Sequence, residues 1–232
     1  MNSTSLSVLH PAPNPNLNLN PTPNPNPYPK SELWLFALAL LALNLPVLFG
    51  RGPEPFIFSL EAVRAGQWWR LLSHPFVHVS WYHLLLDGAA FLILYRSLMD
   101  PSLLRRVSFV VAAAVGSLLT SWAATDLSAG LCGLSGVAHG LMAVSAIEMV
   151  ANFPPGSSER RVGWISLGLV LAKAGYEALT GQMFLGFLHF GLLGTPVAVS
   201  HAGGVLGGLS AWLLLRLGGR LESESRIQPC SA

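Results

Sequence analysis

From residue 33 onward the chain alternates long apolar runs with short polar clusters. A helix that crosses a bilayer needs about 17–25 mostly apolar residues. Six stretches fit: residues 33–49, 81–98, 103–124, 131–153, 162–179 and 196–217. The pattern predicts an all-α polytopic membrane protein, six transmembrane helices within residues 31–218. The connection between the first two, residues 50–80, is rich in Pro, Trp and Arg. Within it AGQWWRLL reads as an interfacial amphipathic piece with its rings at headgroup depth. Residues 1–30 stand apart, because Asn and Pro alternate there and Lys30 is the only charge. Proline removes donors and fixes φ, so a disordered tail is expected. It lacks the basic start and adjoining apolar core of a signal peptide. Residues 219–232 read as a polar C-terminal tail.

Composition agrees with membrane burial. Hydrophobic residues make up 52% of the chain and charged ones 10%, against about 25% charged in soluble domains. Mean hydropathy is +0.52. A net charge of +2 gives no reason to expect a nucleic-acid partner. The placement of the arginines says more. Arg96, Arg105 and Arg106 flank the turn between spans two and three, Arg160 and Arg161 lie between four and five, and Arg216, Arg220 and Arg226 follow six. Loops 125–130 and 181–195 hold no Lys or Arg. The positive-inside rule then puts both termini in the cytoplasm, with Arg51, Arg64 and Arg70 in the first outer loop running against it. Cys132 and Cys230 sit in unlike surroundings and suggest no disulfide framework.

In this topology several polar residues share one depth. At 1.5 Å per residue, Ser135 lies about 6 Å below the outer surface, His201 roughly 7–8 Å, and His83 and Asp87 about 3 and 9 Å. Ionisable groups inside a membrane are costly, which makes them candidates for function. Ser135 sits between glycines in GLSG, and a serine attacks only when a base takes its proton. His201 begins HAGGVLGG, and Gly204 and Gly208 share its helical face. Small residues at that spacing admit a close neighbour. If that neighbour is span four, with Gly136 and Gly140 on its face, the imidazole reaches Ser135. Plain glycine-mediated packing is the competing reading. His83 and Asp87, at i and i+4, share one face, and a neutral His83 can donate toward a developing oxyanion, as can the Ser135 backbone N–H. Zinc at His74, His78 and His83 would lack the usual HExxH or thiolate set, and haem would need only two facing histidines. An α/β-hydrolase elbow requires G-x-S-x-G, which residues 133–137 do not supply. Neither metal nor cofactor is expected.

The three motifs WRLLSHPFVHVSWYHLLLD, GLSG and HAGGVLGG, in that order, resemble those of the rhomboid family of intramembrane serine proteases. The resemblance covers about residues 68–212. It implies a rhomboid-like bundle in which Ser135 is the nucleophile, His201 its base and His83 an oxyanion donor. Gly133, Gly136, Gly204 and Gly208 would allow the close packing. GLSGVAHGLM and KAGYEAL resemble more narrowly the rhombosortase subgroup. Those bacterial enzymes are thought to process proteins whose C-terminal anchor carries Gly-Gly, a transmembrane helix and basic residues. The implied partners are the lipid bilayer and a membrane-anchored protein substrate. The implied location is a bacterial inner membrane, with the site toward the outer leaflet.

One position departs from the family pattern. Most rhomboids have asparagine four residues after the second-span histidine, where this chain has Asp87. A carboxylate would repel an oxyanion. Either burial keeps Asp87 protonated and donating, or Asp87 accepts from His83 and orients it. His139, one turn after Ser135, takes the place of a tyrosine that stacks on the base in many rhomboids; it either stacks likewise or packs. Lys173 and Glu177, at i and i+4, pair with each other, for structure or for recognition of a substrate anchor. A catalytically inactive relative that binds membrane partners is the rival reading, with Asp87 its best argument. A small transporter is a third, without the paired repeats or broken helices it would need.

Overall fold

The computed structural model describes residues 30–128, 130–184, 186–188, 190–192 and 197–227. The Asn/Pro tail up to residue 29 and Cys230 lie outside the described residues. Described residues form helices Glu32–Leu43 (α1), Leu45–Leu48 (α2), Leu60–Arg64 (α3), Arg70–Ser73 (α4), Trp81–Ser97 (α5), Leu103–Ala124 (α6), Ser135–Asn152 (α7), Ser158–Thr180 (α8) and Val199–Ile227 (α9). Short 3₁₀ turns follow at His74–Phe76 and Gly186–Leu188. No strand occurs among the described residues; Phe58 and Leu131 form an isolated antiparallel bridge.

Local chemistry fixes the ends of these helices. Side-chain oxygens of Ser80, Ser102 and Ser157 accept from the backbone N–H groups of His83, Arg105 and Arg160, satisfying donors that a helix start leaves free. Gly181 closes α8 at φ +68°. The predicted first span is interrupted instead of continuous. Pro46 stands in the first turn of α2, and buried Asn44 donates to Leu40 O and Phe76 O at 2.8 and 2.7 Å. Residues 131–134 are not helical either, because Leu131 exchanges both backbone bonds with Phe58 and Gly133 has φ +104°. The last helix runs on to Ile227, into the predicted C-terminal tail.

Among the described residues, three helices are long and apolar enough to cross a membrane: α6, α8 and Val199–Gly219 of α9. A fourth span results if Arg70–Phe76 and α5, bent by 92°, count as one. Both remaining predicted spans fall short for visible reasons. The α1 helix has 12 residues, and α7 dilutes its apolar run with Ser135, His139, Glu148 and Asn152. Large apolar side chains such as Leu104, Ile165, Leu169 and Leu214 point outward, as an integral membrane protein requires.

The most extensive helix contacts are those of α9 with α6 and with α7. Phe91, Tyr95, Phe109, Leu141 and Val144 fill one core, and Ala143, Leu167, Val170 and Val205 a second between α7, α8 and α9. On the side away from Ser135, Arg106 is buried against Glu32, and Tyr95 Oη donates to the same carboxylate at 3.0 Å. Arg106 is therefore a structural cation; it does not belong with the loop charges. Glu148 accepts from the backbone N–H groups of Met99 and Asp100 at 2.7 and 3.1 Å, fastening the α5–α6 turn to α7.

Candidate active site

The segment before Ser135 is held open by backbone contacts. Gly133 N donates to His74 O at 3.1 Å. A Cβ on Gly133 would lie 3.0 Å from His83 Nε2 and 3.2 Å from Asp87 Oδ2, and its φ also disfavours any L side chain. Only glycine lets His83 and Asp87 come this close to the chain two residues ahead of Ser135. Leu134, fully buried, anchors the turn, and Ser135 opens α7. It therefore lies in the first helical turn, not a full turn inside, and its N–H belongs to the set that a helix start leaves unpaired.

On the other side, α7 and α9 approach backbone to backbone. A Cβ on Gly204 would overlap Gly136 O, and one on Gly208 would come within 2.9 Å of Gly140 O. A Cβ on Gly136 would fall within 2.9 Å of Ser200 O. This contact brings the start of α9 beside the start of α7, and with it His201, which is 4% exposed. His139 Nδ1 donates to Ser135 O at 2.7 Å, and its ring lies parallel to the ring of His201. His201 Nδ1 donates to Glu177 Oε2 at 2.6 Å. A neutral imidazole with its proton on Nδ1 keeps the Nε2 lone pair free. Among the described residues no hydrogen bond joins the Ser135 hydroxyl to the His201 ring. Contacts of this kind commonly tighten only when substrate arrives. A narrow cleft beside Ser135 is lined by His74, Cys132, Gly133, Ser117 and Ser200.

The helix α5 side supplies the other polar groups. His83 Nε2 lies 3.1 Å from Asp87 Oδ2, and His78 Nε2 lies 3.7 Å from the same oxygen. His78 and His83 meet edge to face at 4.9 Å, and His78 N donates to Asn44 Oδ1 at 2.8 Å. The Asp87 oxygen faces both imidazole nitrogens, but neither approach has hydrogen-bond geometry. His78 Nε2, His83 Nδ1 and Asp87 Oδ2 are buried without hydrogen-bond partners. Their donor atoms lie close enough together to ligate a cation, as do those of His139, Glu177 and His201. In the second group hydrogen bonds already engage both histidine Nδ1 atoms and both Glu177 oxygens.

The family model for the rhomboid domain matches residues 65–218, well over half of the chain. The chain belongs to the rhomboid family. It matches no curated protein and no solved structure. Rhomboids are intramembrane serine proteases, so membership places this chain among integral membrane proteins of a family that acts on membrane-embedded substrates. In this rhomboid, Ser135, His139 and His201 form one cluster and His83, Asp87 and His78 another, with Gly133 between Ser135 and the second. Sequence reasoning missed Glu177 as a partner of His201 and Asn44 as a partner of His78. The available signal for Glu177 was a carboxylate placed within an otherwise apolar helix.

Proposed function

We propose that this rhomboid is an active intramembrane endopeptidase using a Ser135–His201 dyad. His201 Nε2 accepts the Ser135 hydroxyl proton as Oγ bonds to the substrate carbonyl carbon. The same proton passes to the leaving amine as the C–N bond breaks, and water then hydrolyses the acyl-enzyme. His83 and the N–H groups at the start of α7 stabilise the oxyanion, with Asp87 orienting His83. The substrate is a membrane-anchored protein cut near its transmembrane segment. Resemblance to rhombosortases makes C-terminal Gly-Gly anchors the substrate class. Six spans with both termini in the cytoplasm, in a bacterial inner membrane, complete this reading.

The observation that carries it is the glycine-mediated contact of α7 with α9, which sets the serine and histidine helix starts side by side. A fluorophosphonate or isocoumarin probe on the bilayer-embedded protein tests it. Labelling of the wild type should vanish in both Ser135→Ala and His201→Ala. A wild type that never labels would support the inactive, partner-binding alternative instead.

A further inference from the structure

Lys173 and Glu177 form the expected i, i+4 pair, Nζ to Oε1 at 2.7 Å. Their helix-mate geometry uses only one of the two carboxylate oxygens. Phe184 N donates to the same Oε1 at 2.9 Å, so two donors fix that oxygen. Oε2 is left to receive His201 Nδ1 at 2.6 Å. The Glu177 side chain is 0% exposed and that of His201 5% exposed, so water does not compete for this bond. One face of the His201 ring is covered by His139, whose ring stacks on it. One histidine is thus held in its plane by a ring and in its rotation by a carboxylate.

Resting on the protease reading above, we infer that Glu177 is a positioning residue that makes the dyad a Ser135–His201–Glu177 triad. Its oxygen keeps the His201 proton on Nδ1, so that the Nε2 lone pair can receive the serine proton. It also faces the positive charge that His201 carries once that proton has arrived. Both Glu177 oxygens are engaged by protein donors, so it acts through His201. Lys173 and Phe184 N serve to select which oxygen Glu177 presents.

That selection makes a sharp test. In Glu177→Gln the amide oxygen stays with the two donors at the Oε1 position, and the amide nitrogen turns to His201. An N–H facing Nδ1 forces the imidazole proton onto Nε2, where it blocks the base. Two measurements on the full-length protein in bilayers read this out. One is ¹⁵N NMR of histidine-labelled protein, with His201→Ala identifying the resonances. The other is the rate of fluorophosphonate labelling beside thermal unfolding. The wild type should show the Nδ1–H tautomer at His201, and Glu177→Gln the Nε2–H form. Labelling should slow on the order of 10⁴-fold in Glu177→Gln, with an unfolding temperature near that of the wild type. Glu177→Asp, which keeps the carboxylate, should recover part of the rate. A wild-type His201 protonated on Nε2 would overturn the inference and needs no variant to fold. Glu177→Gln labelled at the wild-type rate would overturn it while leaving the dyad intact. A wild type that never labels would overturn the protease reading and this inference together.

Discussion

The rings of His139 and His201 lie 3.9 Å apart between centroids and 14° from parallel. His139 is itself fixed to Ser135 O, so the backbone of the proposed nucleophile sets the plate on which the proposed base rests. Removing the plate in His139→Ala should slow probe labelling by about 2- to 10-fold, the range expected for losing an aromatic contact. His139→Tyr should restore the rate. An unchanged rate in His139→Ala would reduce the stack to packing.

Asp87 offers a second test. If it orients His83 through Oδ2, Asp87→Asn can keep an oxygen at that position and places an amide donor at the Oδ1 position. Labelling should then hold or rise. A loss on the order of 10²-fold, comparable to removal of an oxyanion donor, would show that the negative charge itself is required. Rates measured over a pH series in both proteins would separate these outcomes.

The Glu32–Arg106 pair predicts a stability effect separate from chemistry. Arg106→Met strands a carboxylate that is buried and bonded to Tyr95. Breaking a buried pair from one side costs about 3–5 kcal/mol, measured as a fall in unfolding temperature in detergent. Glu32→Gln combined with Arg106→Met should recover part of it, while labelling of the folded fraction stays at the wild-type rate.

Glycines at two kinds of position should behave differently. Gly204→Ala forces Cβ against Gly136 O, a backbone atom with no rotamer to change. We expect a loss of about 1–3 kcal/mol from overpacking and slower labelling, since His201 shares that helix turn. A Cβ on Gly168 meets nothing within 4 Å. Gly168→Ala should therefore leave labelling untouched and stabilise α8 by up to about 1 kcal/mol through helix propensity.

Much of the architecture was legible in the sequence because the bilayer imposes a coarse rule. The run 103–124 was read with the bounds that α6 adopts, since Ser102 caps it and Thr125 leaves it. Trp81 likewise opens α5 behind Ser80. The failures have tertiary causes. Residues 131–134 look apolar enough for helix, but pairing with Phe58 and the left-handed Gly133 keep them out of α7. The first run breaks at Asn44 because its side chain answers to Phe76 and His78, more than 30 residues away in the chain. Lys173 was the visible partner of Glu177, because periodicity reports neighbours on one helix and nothing across helices. The bond to His201 required the fold.

Helices α6 and α9 meet where Gly116 faces Gly203 and where Gly207 lies over Ala112, main chain against main chain. A seam of that kind has no adjustable layer. A designer wishing to reshape the bundle could not do so by swapping residues along the seam; the usable freedom lies on the open side of α8, where a Cβ on Gly168 or Gly175 meets nothing within 4 Å.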